Sequence, residues 1–358
     1  MPDERGGRIA VSEVVDTFLT SRGFLLYICI LEGTPNEYRL YKYDYEKAES
    51  EYLSDIYPST PFSPFWGVGP CFLSTDSDYS PCFIAKNEDG SYAYSFLDKD
   101  NAVVSLPNED GPIWVGESGY ATTTKYHGAF EKGQVSEDDS VTLHYYSEAS
   151  SYALGKRARV LFCDESKVIY RDGKGLVSEW PRLSSSPTAS YGTFEVASPD
   201  RNCVSLHAEP ASPYVWKNDN ETGILTIATF KDGTYVENRF PSDPPVYNCI
   251  SKCLWFPNTN HLLGCSSSPY RERYHIDLDQ GEVTLIPSKT TMFSYAYPSF
   301  DYPVYQGERY DLIERYTPSA ADLGSSAIYA HDKEKDTRVL VQARKTTPFS
   351  YQRIVELL

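Results

Sequence analysis

Apolar and polar positions alternate along this chain in short runs, and turn residues break the runs apart. The pattern is sharpest over residues 156–183, KRARVLFCDESKVIYRDGKGLVSEWPRL. Residues 158–162 form an apolar, β-branched run. Residues 167–170 follow the turn Asp164-Glu165-Ser166, and residues 176–180 follow Asp172-Gly173-Lys174-Gly175. Strands this short, punctuated by Asp and Gly, predict antiparallel hairpins and exclude strand–helix–strand crossovers.

Weaker copies of the unit recur. Runs at 23–31, 38–45 and 50–57 form a first group, and 81–86, 91–97 and 102–106 a second. A strand at 140–146 precedes the central stretch. Later groups run over 204–207, 214–216, 224–230 and 235–240, then 249–256, 261–265, 274–278 and 283–286, then 326–331, 337–344 and 351–357. Turn tips fall near residues 47, 90, 173, 232, 281 and 334, so most intervals are roughly 40–60 residues, with one of about 83. That period, with four strands per unit, predicts an all-β fold: a single β-propeller of about six four-stranded blades. The long interval is one blade with an insertion around 111–156, or two blades of which one is poorly marked. Residues 1–22 read as an N-terminal arm, with one or two amphipathic helical turns at 11–19, and 23–358 as the propeller domain. The run 24–31 is suited to complete the last blade and close the ring. The alternative architecture is a large β-sandwich or a pair of barrels.

Composition narrows this picture. The chain has 358 residues, 41% of them hydrophobic, which suits a globular protein with a sizeable core. Its net charge of −17 disfavours nucleic acid and anionic membrane surfaces as partners, since both need clustered Lys and Arg. No signal peptide is visible in MPDERGGRIA, and 24–31 is too short to span a bilayer, so no membrane association is expected, and the location is read as cytoplasmic or, if a leader has been removed, left open. The eight cysteines, Cys29, Cys71, Cys82, Cys163, Cys203, Cys249, Cys253 and Cys265, are scattered and mostly lie in apolar runs, as buried thiols do. Cys249 and Cys253 lack a second pair at zinc spacing.

Recognised chemistry is scarce. Gly67-Val68-Gly69 lies in a Pro-rich link with no helix after it, and the chain contains no G-x-S-x-G elbow and no H-E-x-x-H. The histidines His127, His144, His207, His261, His275 and His331 show no ligand spacing, and Asp277 with Asp279 reads as a turn. No metal and no cofactor are therefore expected. Aromatic density remains: thirty tyrosines, with Phe65, Trp66, Trp114, Tyr120, Tyr126, Trp255, Phe293, Tyr295 and Tyr297 in links or near strand ends. Packing between blades accounts for most single rings. As a set they predict an aromatic-lined cavity with few charges, suited to a small hydrophobic substrate.

Arg159-Val160-Leu161-Phe162 followed by Ser178-Glu179-Trp180 resembles one blade of the fungal fucose-specific lectin propellers. That resemblance implies a sugar pocket between blades built on Arg159, Glu179 and Trp180. In size and general style the chain is also similar to the fungal hetero-Diels–Alderases of tropolone–sesquiterpenoid pathways. This second resemblance implies a cofactor-free cycloaddition between a tropolone quinone methide and a humulene-type terpene, in a secondary-metabolite pathway. A pericyclic step needs no nucleophile: rate comes from holding both partners in a near-attack geometry, helped by one hydrogen-bond donor where charge builds. His127, Tyr126 and Tyr295 are the candidate donors. Trp66, Trp114, Tyr120, Trp255 and Tyr297 are the candidate walls. A non-catalytic interaction platform is the third reading.

Overall fold

A computed structural model describes residues 11–58, 70, 72–73, 79–107, 110–123, 140–148, 150–199, 214–219, 221–230, 233–240, 250–255, 260–266, 273–286, 300–317 and 325–345. The described residues carry strands and turns and no α-helix, and they form a β-propeller. Its first blade is β1 (Val11–Leu19), β2 (Phe24–Leu31), β3 (Tyr38–Asp44) and β4 (Glu49–Ile56), and its second is β5 (Phe83–Lys86), β6 (Tyr92–Leu97) and β7 (Val103–Ser105). The third is β8 (Gly111–Val115), β9 (Gly119–Thr123), β10 (Ser140–Tyr145) and β11 (Ser151–Lys156). The fourth is β12 (Arg159–Cys163), β13 (Lys167–Arg171), β14 (Leu176–Pro181) and β15 (Ala189–Thr193). Two short strands, β16 (Glu195–Val196) and β17 (Ser198–Pro199), lead onward. The fifth blade joins β16 to β18 (Tyr214–Asp219), β19 (Ile224–Thr229) and β20 (Val236–Phe240). The sixth joins β17 to β21 (Ile250–Trp255), β22 (His261–Ser266), β23 (Arg273–Asp277) and β24 (Glu282–Ile286). The seventh is β25 (Phe300–Gln306), β26 (Tyr310–Thr317), β27 (Ser325–Asp332) and β28 (Thr337–Lys345).

Hydrogen bonding groups these strands into six sheets among the described residues. The seven-stranded sheet β1–β7 is held at its middle by a single pair, Ile56 with Ala85, so it divides into two blades. An isolated bridge from Leu73 to Cys82 flanks β5. Region 111–156, with the longest interval between turns, carries four strands of its own, the poorly marked blade of the two-blade reading.

Two local expectations are corrected. Residues 11–19, read as helical turns, form strand β1 on the edge of the first sheet, inside the segment read as an arm. Two register shifts against β2, between Val11 and Glu13 and between Val14 and Asp16, break the two-residue alternation there. A bulged strand then spaces its apolar residues three and four apart, as a helix does. The run expected to complete the last blade, β2, instead pairs with β1 and β3 in its own blade. Its unbroken apolar sequence FLLYICIL has a different cause. Phe24, Leu26 and Ile28 pack toward the second blade, while Leu25 meets Leu312 and Ala330 of the seventh. Both faces of β2 are covered, so neither can be polar.

The same contact shows that the ring returns on itself. Apolar clusters join blades one and two, two through four, four and five, and five and six in sequence. The first and seventh meet through Leu25, Leu312 and Ala330, with Tyr43, Tyr45 and Tyr310 around them. The Glu46 carboxylate adds a polar clasp, accepting the backbone N–H groups of Arg309 (3.3 Å) and Tyr310 (3.0 Å).

One hairpin turn recurs in four blades. Its sequence is Asp-x-acid-x-(Gly, Ala or Asp): DYEKA from Asp44, DNETG from Asp219, DLDQG from Asp277 and DKEKD from Asp332. In each the first Asp accepts the backbone N–H groups two and three residues on. The fifth residue is left-handed: Ala48 (φ 52), Gly223 (φ 68), Gly281 (φ 68) and Asp336 (φ 50). A short side-chain acceptor and a residue at positive φ are what this turn requires.

Candidate functional site

The fourth blade separates the lectin-like triad. Glu179 pairs across β13 with Ile169, and Trp180 pairs with Val168. Neighbouring strand residues project to opposite faces, so Glu179 turns toward the fifth blade and Trp180 toward the third. Trp180 packs edge-on against Tyr152 at 5.6 Å, and its Nε1–H donates to the Ser184 carbonyl. Arg159 pairs with Arg171. It therefore shares the face of Glu179, but two strands over and two residues along place the two backbones roughly 12 Å apart. Arg159, Glu179 and Trp180 are not brought together as one pocket.

Around Glu179 a different set converges. Its Oε2 accepts the Tyr191 hydroxyl (2.7 Å) and the Lys167 ammonium (3.0 Å). Lys167 Nζ also donates to the Gly233 carbonyl in the fifth blade, at 3.2 Å, so this network bridges the seam. The Tyr191 ring lies 5.1 Å from Phe230 and 5.2 Å from Tyr235, both of the fifth blade. Gly233 sits where a Cβ would meet the Phe162 ring at 2.7 Å, so only glycine lets the two blades approach this closely. The Lys167 and Glu179 side chains keep 25% and 20% of their surface exposed. Burial would raise the Glu179 carboxyl, but the Tyr191 hydroxyl and Lys167 ammonium hold it below the usual carboxylate range. Burial and the bond to Glu179 push the Tyr191 phenol up to about 12. The seam therefore presents a carboxylate, an ammonium and two tyrosine rings side by side. Sequence reasoning found Glu179 but missed Lys167, Tyr191 and Tyr235, which only strand pairing and blade packing bring to it.

The cavity residues divide otherwise. Trp66, Tyr126, His127, Tyr295 and Tyr297 lie outside the described residues. Trp255 ends β21, paired through its backbone with Leu262 and Pro199. Trp114 pairs with Ala121, and Tyr120 with Val115, so the two rings leave the third blade on opposite faces. Trp114 is buried, with its indole over Gly116. Tyr120 stacks on His144 at 4.9 Å and touches Phe96 at 4.7 Å and Tyr146 at 5.7 Å. Burial lowers the His144 pKa and keeps the imidazole neutral, bonded through Nε2 to the Thr122 hydroxyl (3.2 Å).

Among the described residues, metal-binding side chains converge at His261, Asp277 and Asp279, whose donor atoms lie within 4.8 Å of one another. Asp277 and Asp279 form a turn, as expected; His261 arrives from the neighbouring strand, sixteen residues back, opposite Asp277. The buried Cys29 thiol and the partly buried Cys163 thiol are pushed up to about 12 by burial, which makes them poor nucleophiles.

The chain matches no family model, and no curated protein is similar to it in sequence. Among solved structures it is similar to the C-terminal WD40 domain of Sif2, with 12% identity over 96% of this chain and 92% of that one and a TM-score of 0.36. Oligopeptidase B from Leishmania major gives 12% identity over 95% of this chain and 50% of that one, with a TM-score of 0.36. A complex of KlAtg21 with the coiled-coil of AgAtg16 gives 11% identity over 95% and 100%, with a TM-score of 0.37. At such scores the propeller assignment rests on this chain's own sheets and seams. Among the described residues no helix is long and apolar enough to cross a membrane.

Proposed function

We propose that this propeller is a binding protein whose ligand seat is the seam between the fourth and fifth blades, and that the ligand is rich in hydroxyl groups, as a sugar is. The observation that carries this is the partly exposed Glu179–Lys167–Tyr191 network beside the Tyr235 ring. A fixed carboxylate accepts hydroxyl hydrogens, an ammonium donates to ring or hydroxyl oxygens, and tyrosine faces cover the C–H face of a sugar ring. Lys167, Tyr191 and Tyr235 then take the parts that the sequence resemblance gave to Arg159 and Trp180. Calorimetric titration with a panel of monosaccharides tests this: at least one should bind, and Glu179→Gln should abolish the heat while leaving Tm nearly unchanged. Wild-type protein that binds no sugar, or binding indifferent to Glu179→Gln, defeats the reading.

A second reading keeps the cycloaddition in an aromatic cavity, with a small hydrophobic substrate and no cofactor. The Phe96–Tyr120–Tyr146–His144 group favours it, because it gathers three aromatic rings and an imidazole, with the Tyr120 and Tyr146 hydroxyls as candidate hydrogen-bond donors. On this reading His127, Tyr126 or Tyr295 polarises the quinone-methide carbonyl. Its test is a product assay against the spontaneous reaction: a Tyr120→Phe or His127→Ala enzyme should change rate or product ratio, and identical product mixtures with and without protein would end it.

A further inference from the structure

Among the described residues, the turn that recurs in four blades carries an ion pair to Lys or Arg in the first and seventh blades, and none in the fifth and sixth. In the first blade Lys47 Nζ pairs with Asp44 at 3.5 Å. In the seventh, Arg309 Nη2 pairs with Asp332 at 3.1 Å and its Nε lies 3.4 Å from Glu334, with Lys335 3.9 Å from Asp332. The sixth blade repeats the seventh bond for bond. Tyr310 pairs with Asp332 as His261 pairs with Asp277. The Arg309 carbonyl accepts the Lys333 N–H, and the Asn260 carbonyl accepts the Leu278 N–H, each at 2.9 Å. Asn260 therefore stands where Arg309 stands, and Gln280 where Lys335 stands. Both cationic positions are neutral, yet the two carboxylates, Asp277 and Asp279, remain. What replaces the arginine in this corner is an imidazole.

We propose that His261, Asp277 and Asp279 bind a divalent first-row transition metal ion, which supplies the charge that Arg309 supplies in the seventh blade. His261 Nδ1 lies 3.7 Å from Asp277 Oδ2. Two donors bound to one such ion sit roughly 3.0–3.5 Å apart, so this pair closes by a few tenths of an ångström, while the Asp279 donor, within 4.8 Å, moves by up to about 1.5 Å. Asp277 Oδ1 is occupied by the N–H groups of Asp279 and Gln280, which leaves Oδ2 directed at His261. Asp279 is steadied by Asn260 Nδ2 at 2.6 Å, and Asn260 Oδ1 in turn accepts the Tyr214 hydroxyl at 2.7 Å. Such outer contacts fix the ligands of metal sites. His261 itself is stacked on His275, with ring centroids 5.2 Å apart. One imidazole with two carboxylates suits zinc, cobalt or manganese, whereas calcium and magnesium favour all-oxygen sets. Sequence spacing hid the site because His261 and Asp277 are neighbours only through strand register.

The test is thermal unfolding of the full chain with Zn²⁺, Co²⁺ or Ca²⁺, together with the visible absorption of added Co²⁺. Zn²⁺ and Co²⁺ should raise Tm saturably, Ca²⁺ at equal concentration should not, and bound Co²⁺ should gain ligand-field bands. His261→Ala should weaken Zn²⁺ binding at least about tenfold. Asn260→Arg, which copies the seventh blade, should fold normally and lose the Zn²⁺ response, because a guanidinium then holds both carboxylates. Equal shifts with Ca²⁺, no saturable Zn²⁺ binding, or an unchanged Zn²⁺ response in both variants would overturn the proposal.

Discussion

The seams that join blades two, three and four and the seam that joins seven to one are built differently. The first buries a continuous apolar set that includes Ile84, Trp114, Leu143, Val160 and Val168. The second buries three residues, Leu25, Leu312 and Ala330, ringed by half-buried tyrosines, and adds the Glu46 carboxylate on two backbone N–H groups. Blades that follow one another in sequence are already tethered by the chain, so the bonds from Arg182 to Glu148 and Ser147 across blades three and four supplement a contact that burial already holds. The closing pair meets across 263 and 264 residues at the Glu46 contacts, and no strand is exchanged between these two blades among the described residues. Directional hydrogen bonds there select one register, which burial by itself does not.

Several measurements would sharpen or break this contrast. The largest effect is expected from Leu143→Ala in the apolar seam, which should cost about 2–5 kcal/mol in urea unfolding, through lost burial and the cavity left behind. Next is Glu46→Ala. Leaving two N–H groups without their acceptor should cost roughly 1–3 kcal/mol, while Glu46→Gln, which keeps an acceptor, should cost less. If Glu46→Ala proves neutral, the clasp contributes nothing and the contrast collapses.

An acid titration follows in size. Hydrogen bonds from Ser91 to Asp89, from Thr222 to Asp219, and from Ser150 and then Arg182 to Glu148 hold these carboxyls below their usual range. A depressed folded-state pKa gives stability that is complete above the unfolded value, about 4, and is lost as pH falls through the folded value. Tm should therefore be flat near neutrality and decline below about pH 4.5. The smallest effect is a gain: Ala48→Gly should stabilise by about 0.5–1 kcal/mol, since glycine occupies the matching left-handed position in two sister turns.

Much of the fold was legible because antiparallel hairpins are local. The 156–183 stretch could be divided correctly because Asp164 and Asp172 each organise a turn with their own side chain. The strands β8, β9 and β25 were not legible, since Pro112, Gly119 and Pro303 interrupt their patterns. The four-fold Asp turn was present in the sequence but spread over spacings from 55 to 175 residues, too irregular to register as a period. The candidate site was legible only at Glu179. Lys167 lies twelve residues from it and Gly233 belongs to another blade. Side-chain chemistry says nothing about which blades touch.

The five residues from Glu195 to Pro199 have a mechanical consequence. Glu195 and Val196 pair antiparallel with β18 in the fifth blade, and Ser198 and Pro199 pair parallel with β21 in the sixth. The Ala197 between them is fully buried in the cluster that joins those two blades. One taut thread thus stitches two sheets, and neither edge can fray without loading the other. Tension on the chain here should be shared, so that these two blades yield together as a single unit.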